Sequence, residues 1–154
     1  MAFHFSLATI LRLRESLEKQ ELQRLQKLVA ELAQIRAEIE SIDQRIEAAR
    51  REVMEQASTG ISGAELHAAA LSEFALLQLR AELIAKREEL ERARKDQQAQ
   101  YNHARQRREI LSNLRERQLA AYQHEQSRRE QQMTDELFLM RRSHRKRAEP
   151  ASSS

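Results

Sequence analysis

The chain of 154 residues has no cysteine, no tryptophan, two glycines and one proline. Without cysteine it can form neither disulfide bonds nor thiolate metal sites, which fits a reducing compartment. With so little glycine and proline, there are few places where a helix would be broken. Aromatic residues make up 4% of a chain that is 40% hydrophobic. These apolar residues therefore suit a narrow seam between helices better than a thick globular core.

Long hydrophobic runs are missing as well. Arg12 and Arg14 interrupt the apolar N-terminal residues at helical spacing, and no stretch of about 18 apolar residues could cross a bilayer. We therefore expect a cytoplasmic protein. An excess of positive charge appears only at the C-terminal end of the chain, where residues 128–154 hold seven of the 27 basic and four of the 24 acidic side chains. The remaining basic and acidic side chains balance.

Both glycines, Gly60 and Gly63, fall in one short stretch, and this marks a single reversal of the chain. Ser62 and Glu65 have the spacing of a capping box at the start of a second helix. We predict an all-α fold, a long antiparallel two-helix coiled-coil hairpin with unequal arms, as a single domain over residues 1–154. Its predicted segments are helix one at about 5–57, a turn at 58–63, helix two at about 64–142, and a disordered basic and serine-containing tail at 143–154.

Both predicted helices carry a heptad pattern of apolar residues, which is typical of a coiled-coil seam. In helix one the pattern follows Leu25, Leu28, Leu32, Ile35, Ile39, Ile42, Ile46, Ala49 and Val53. In helix two it follows Leu76, Leu79, Leu83, Leu90, Ala93, Ala104, Leu111, Leu114 and Ala121. The pattern is lost over 14–24 and over 97–107, and a reversal near residue 60 places these spans side by side. This supports antiparallel pairing, and it predicts a hydrated span that can bend unless Glu–Arg pairs bridge it.

Helix two is longer than helix one can cover, so residues at about 117–142 are predicted to overhang. The overhang includes the apolar run Leu137–Met140, which a lone helix in water does not bury. Phe3 and Phe5 are predicted to lie at the same end of the hairpin. We expect a protein-binding surface there. The alternative is that residues 1–6 fold back and cover the overhang locally.

A basic run, Arg141–Arg147, follows the apolar one, and its composition suits phosphates, anionic lipid and acidic protein surfaces alike. Nucleic acid is not an expected partner, because the chain lacks interleaved aromatic residues and a basic region that leads into a parallel zipper. No catalytic, cofactor or metal site is expected either, since a two-helix hairpin exposes nearly every polar side chain to water. The five histidines do not pair at zinc-ligand spacing. They are His4, His67, His103, His124 and His144.

Four short landmarks follow one another along the chain. Phe3–Leu7 leads towards Leu11, and Gly60-Ile61 forms the turn. Leu114–Gln118 comes next, and Met133–Leu137 lies just before the basic run. In order, spacing and overall layout, nearly the whole chain resembles the FliJ family, a small cytoplasmic component of the bacterial flagellar export apparatus.

This resemblance implies a non-enzymatic role in type III protein export that supports flagellum assembly and motility. FliJ-like proteins resemble the central stalk of rotary ATPases, which implies that the end of the hairpin enters the ring of a FliI-like export ATPase. The residues implied there are Phe3, Phe5, Leu7, Met133, Leu137, Phe138, Met140, Arg141 and Arg142. The resemblance further implies contact of Ile42, Phe74 and Leu76 with a FlhA-like export gate protein. It also implies binding of export chaperones and a peripheral position on the cytoplasmic face of the cell membrane through the export apparatus.

Three alternatives stay open at the level of the sequence. The same architecture serves as the stalk of a virulence-type, injectisome secretion system. A basic coiled-coil scaffold would instead bind membrane or nucleic acid through Arg141–Arg147. Finally, Ile42 and Leu76 occupy seam positions, so they would hold the hairpin together and leave the gate contact to other residues.

Overall fold

The computed structural model describes residues 2–149, and over that range it contains two α-helices and no strand. Helix α1 spans Ala8–Thr59 and helix α2 spans Gly63–Ala148, with 52 and 86 residues respectively. Ion pairs join the helices with residue numbers that rise along α1 and fall along α2. The two helices are therefore antiparallel, and the predicted all-α hairpin with unequal arms is confirmed.

The chain divides into two compact units. The turn unit comprises Arg14–Gln106, and the terminal unit comprises Met1–Leu13 together with Arg107–Ser154. Met1 and residues 150–154 lie outside the described residues. Each unit contains a stretch of α1 and a stretch of α2.

The reversal in the turn unit depends on backbone conformation and on side-chain caps. Gly60 has a φ of 99°, in the left-handed region that residues with a Cβ rarely adopt, and it follows the last residue of α1. Ser58 and Thr59 donate hydrogen bonds from their hydroxyl groups to backbone carbonyls of the last turn of α1. The Ser62 hydroxyl oxygen accepts a hydrogen bond from the Glu65 amide at 3.2 Å, as the predicted capping box requires. These local interactions end one helix and start the next within three residues.

The seam of α1 in the turn unit follows the predicted heptad positions from Leu25 to Ile46, whereas the predicted Ala49 is exposed and Val53 is half-buried. Its buried side chains are all apolar and, together with the half-buried Leu28, follow the spacing of three and four residues. They are Leu25, Leu32, Ile35, Ile39, Ile42 and Ile46, between 2% and 8% exposed. In this way α1 provides a continuous aliphatic stripe that α2 covers.

The seam of α2 follows a different register from the predicted one. Leu76, Leu83 and Leu90 are half-buried as expected, but Leu79 is 43% exposed, and Lys86 and Gln100 are also exposed. Half-buried residues four positions after Leu76, Leu83, Leu90 and Gln97 are Arg80, Arg87, Arg94 and Tyr101. The prediction was wrong here because it placed the second seam position three residues after Leu76, Leu83 and Gln97, at Leu79, Lys86 and Gln100, whereas the half-buried positions lie four residues after them. Arginine can lay its aliphatic stem along a seam while its guanidinium reaches the edge.

Charged groups at the edges of the seam set the pairing of the two helices. Arg80 bonds to both carboxylate oxygens of Asp43, with nitrogen–oxygen distances of 2.5 and 3.5 Å. Arg36 pairs with Glu91 at 3.2 Å, and Arg50 pairs with Glu73. Because these pairs are solvent-accessible, each contributes only about 0–1 kcal/mol. Their main effect is on register.

The two polar spans of the turn unit meet as predicted. The Gln97 side-chain amide donates a hydrogen bond to the Glu21 backbone carbonyl at 3.1 Å and another to the Glu21 carboxylate. Both residues are half-buried. A Gln–Glu contact therefore bridges the span at this level, in place of the apolar side chains that the heptad pattern lacks there.

The two ends of the hairpin differ from the predicted helix bounds. Helix α1 begins at Ala8 and not at about residue 5, because Phe3–Phe5 form a non-helical segment that packs against α2.

Helix α2 continues to Ala148, through residues that the sequence prediction placed in a disordered tail. Three basic residues in its last turn favour the helix C-terminus. Proline disfavours helical conformation in the residue before it, and the helix ends two residues before Pro150.

The two glycines provide a matched test of the turn. Gly60→Ala should lower the free energy of unfolding by about 1 kcal/mol, because alanine is strained at that φ although nothing would crowd its Cβ. Gly63→Ala places alanine in the first turn of α2 and should be neutral or stabilising by up to about 1 kcal/mol. Urea unfolding followed by circular dichroism measures both changes. Equal destabilisation by the two variants would contradict the assignment of the reversal to Gly60.

The register of α2 is tested by two leucines four residues apart. Leu83→Ala removes a half-buried seam side chain and should cost about 1–2 kcal/mol. Leu79→Ala removes a more exposed one and should cost less than about 1 kcal/mol. Chemical denaturation of both variants gives the comparison. A larger loss for Leu79→Ala would restore the register predicted from the sequence.

Candidate protein-binding surfaces

The N-terminal segment of the terminal unit lies against α2. Phe5 and Leu11 are 4% and 6% exposed, Leu7 is half-buried, and the Phe5 carbonyl accepts a hydrogen bond from the Ala8 amide at 3.1 Å. The Phe3 ring contacts the Tyr122 ring with their centroids 5.5 Å apart. The non-helical segment thus brings apolar side chains of the N-terminus against α2. Phe3, Phe5 and Leu7 are used mainly for packing within the unit.

Beyond this contact, α2 continues without a covering element. Tyr122, Glu125 and Gln126 are half-buried, whereas every residue from 127 to 149 is exposed. We call residues 127–149 the unpaired segment. It begins about ten residues later than predicted, because the N-terminal residues cover part of the expected overhang. The alternative in which residues 1–6 cover the overhang locally is therefore correct as far as Tyr122.

The unpaired segment exposes large apolar side chains around its whole circumference. Leu137, Phe138, Leu139 and Met140 are between 54% and 65% exposed. Successive residues of a helix point about 100° apart, so these four side chains surround the helix. Met133 and Met140 also continue the helix face on which Tyr122 and Gln126 lie. The seam face therefore runs on into a region where the described chain provides nothing to cover it.

The charges of the unpaired segment separate along its length. At its start, Arg128 and Arg129 form ion pairs with Glu125 at 3.0 and 3.4 Å. The hydrogen bond from Arg128 lowers the pKa of the Glu125 carboxyl, against an opposing effect of desolvation. Further along, Arg141 and Arg142 are exposed, and no ion pair joins them to a carboxylate within the described residues. The apolar run is thus followed by uncompensated positive charge.

In the turn unit, the predicted gate-contact residues lie in three different environments. Ile42 is 5% exposed and belongs to the α1 seam, and Leu76 is half-buried in the α2 seam. Phe74, by contrast, is 60% exposed. Of the three, only Phe74 offers most of its side chain to a partner.

Phe74 belongs to a second apolar stripe that the sequence analysis did not identify. Leu66, Ala70, Phe74 and Leu77 are spaced four, four and three residues apart, so they share one face of α2 beside the seam. Leu66 and Ala70 also line an open groove of about 600 Å³ between the end of α1 and the start of α2, together with the exposed Met54. The spacing was visible in the sequence. The predicted seam, however, includes the neighbouring Leu76 and Leu79, and this stripe was not separated from it.

The described residues contain no group of three or more acidic, histidine or cysteine side chains that could hold a metal ion. All five histidines are exposed. Within the described residues, neither helix contains an apolar stretch that could span a lipid bilayer. The unpaired segment and the stripe around Phe74 both expose clusters of large apolar side chains.

A family model described as "Flagellar FliJ protein" matches residues 3–148, nearly the whole chain. No curated protein sequence and no solved structure matches the chain significantly. The matched range includes the N-terminal segment, both helices and most of the unpaired segment.

The contact of Phe3 with Tyr122 predicts energetic coupling between the two rings. Phe3→Ala and Tyr122→Ala should each destabilise the terminal unit, and the double variant should lose about 0.5–1.5 kcal/mol less than the sum of the two. Thermal unfolding followed by circular dichroism gives the three values. Phe3→Ala combined with Phe138→Ala is the control, and these effects should add, since Phe138 lies in the exposed part of α2. Additive losses for Phe3 and Tyr122 would refute the packing role of Phe3.

Proposed function

Because the chain belongs to the FliJ family of flagellar export apparatus proteins, we propose that it works there as a non-enzymatic component that binds the export ATPase through the unpaired segment. The observation that carries this proposal is the uncovered apolar circumference at Leu137–Met140. By this proposal the protein supports type III export of flagellar subunits, and through it flagellum assembly and motility. It needs no cofactor.

Among protein partners, the geometry of the unpaired segment favours one that encloses it. A flat surface would cover one side of the helix and leave the other apolar side chains in water. A ring or a cleft would cover several sides together, and full burial of one such side chain contributes roughly 1.5–3 kcal/mol. The implied ring of a FliI-like ATPase has this form. Met133, Leu137, Phe138 and Met140 would provide the apolar contacts, with Arg141 and Arg142 reaching acidic groups beside them.

The N-terminal residues support this contact indirectly. Phe3, Phe5 and Leu7 pack within the terminal unit. They would anchor the start of α1 beside α2 and leave the following turns of α2 free for the partner. Their part in ATPase binding would then be to position the unpaired segment.

A second partner surface is proposed on the turn unit, for the FlhA-like export gate protein. The stripe of Leu66, Phe74 and Leu77 provides exposed apolar area with a groove at one end. We assign Ile42 and Leu76 to the seam, so their substitution would act through stability. Export chaperones are proposed to bind the hairpin as well. The protein would be cytoplasmic, with a peripheral position at the membrane through the apparatus.

A crossed binding experiment separates the two proposed surfaces. Met133→Glu combined with Met140→Glu should weaken binding of the purified chain to the export ATPase by tenfold or more, because charge is placed where apolar contact is required. Binding to a soluble part of the gate protein should be unchanged. Phe74→Glu should give the reverse result. Isothermal titration calorimetry measures all four affinities.

The matched control for the ATPase arm is Met54→Glu, which changes an exposed methionine of the turn unit that is 77% accessible. It should leave ATPase binding intact. Equal losses of ATPase binding from Met54→Glu and from the Met133 and Met140 variant would contradict the proposed site. Unchanged ATPase binding after removal of residues 130–154 would contradict the proposed contact altogether.

A further inference from the structure

The last turns of α2 carry a group of arginines whose charge is not balanced within the described chain. Arg141, Arg142 and Arg145 are exposed, and no ion pair joins any of them to a carboxylate of the described residues. No acidic residue occurs between Leu137 and Ala148. Clustered charges of one sign repel one another, and an anionic partner relieves that repulsion.

These arginines share a helix face with two apolar side chains. At about 100° per residue, Leu137, Phe138, Arg141 and Arg145 lie within an arc of about 100°. Phe138, Arg141 and Arg145 also line one shallow surface groove. Glu136, Leu139 and Lys146 lie on the opposite side of the helix. One face therefore combines exposed apolar area with positive charge, and Glu136 points away from it.

We propose that this face, Leu137, Phe138, Arg141 and Arg145, docks directly on an anionic lipid bilayer. Leu137 and Phe138 would enter the boundary between headgroups and acyl chains. The arginine stems are long enough to keep their guanidinium groups at the level of the lipid phosphates. Each basic side chain near an anionic membrane surface adds to the attraction, and apolar insertion adds a contribution that salt does not screen.

The pairing of apolar and basic groups favours lipid over other anionic partners. A nucleic acid backbone would satisfy the arginines but would leave Leu137 beside a charged surface, and a single phenylalanine is not a series of stacking platforms. An acidic protein surface would satisfy the charges, and the experiment distinguishes it. The proposal does not depend on the export ATPase, because it concerns the purified chain alone with lipid.

The first experiment measures co-sedimentation of the full chain with phosphatidylcholine vesicles that contain or lack phosphatidylglycerol. Binding is expected only to the anionic vesicles. Arg141→Gln combined with Arg145→Gln should reduce the partition coefficient by roughly 20- to 30-fold at low salt. Lys146→Gln combined with Arg147→Gln removes the same charge from the other side of the helix, and it should reduce binding less than about threefold. Circular dichroism checks that both variants keep their helix content.

The second experiment uses the absence of tryptophan from the chain. Phe138→Trp introduces a single tryptophan on the proposed face, and Leu139→Trp introduces one on the opposite side. With anionic vesicles the fluorescence of Trp at 138 should shift to shorter wavelength, because the indole enters an apolar environment. The fluorescence of Trp at 139 should not shift.

Several outcomes would overturn the proposal. One is the absence of binding to anionic vesicles. Another is an equal loss of vesicle binding from the two double variants with glutamine, because the segment would then be a charge patch without a preferred face. Equal fluorescence shifts at 138 and 139 would reject the orientation. Soluble polyglutamate serves as a model of an acidic protein. If the chain binds it as tightly as it binds vesicles, and if Phe138→Ala weakens both kinds of binding equally, the face would be assigned to an acidic protein.

Discussion

The aliphatic seam of α1 is the constraint on which the rest of the structure depends. A helix with a buried stripe such as Leu32–Ile46 is unstable alone in water, because isolated helices gain little from propensity and need a partner for their apolar face. In the turn unit α2 is that partner, and Gly60 allows the chain to return within a few residues. The partner does not need a matching aliphatic stripe. Between Leu76 and Arg94 the half-buried seam positions of α2 alternate between leucine and arginine, and the arginine stems cover the part of the α1 stripe that the leucines do not.

The surfaces proposed for binding are what the seam leaves uncovered. In the terminal unit the N-terminal segment covers α2 as far as Tyr122. In the unpaired segment, residues 127–149, α2 is exposed on all sides. In the turn unit the stripe of Leu66, Phe74 and Leu77 lies beside the seam and not in it. Both surfaces are regular helix, so their side chains have fixed directions. A partner can therefore recognise the spacing of these side chains, without the ordering cost of a loop.

Much of the hairpin could be predicted because it depends on local signals. Gly60 and the Ser62–Glu65 cap mark the turn, and the spacing of leucine and isoleucine marks the α1 seam. The prediction failed for Leu79, since the second seam position was placed three residues after Leu76, while Arg80, four residues after it, takes that place through its stem and its pairing with Asp43. It also ended α2 too early. Basic residues were interpreted as a disordered tail, although at a helix C-terminus they favour the helix.

By itself the sequence determined the helical hairpin, the position of its turn, the absence of a metal-ligand pattern and the likeness to the FliJ family, because each of these follows from residue types at short spacing. Tertiary structure alone decided which candidate residues are available. Phe5 and Ile42 are as apolar as Phe138 and Phe74, but the first two are buried and the last two are exposed. The reason is physical. Exposure depends on what the opposite helix or the N-terminal segment covers, and that is set by contacts between residues far apart in the chain, such as Phe3 with Tyr122.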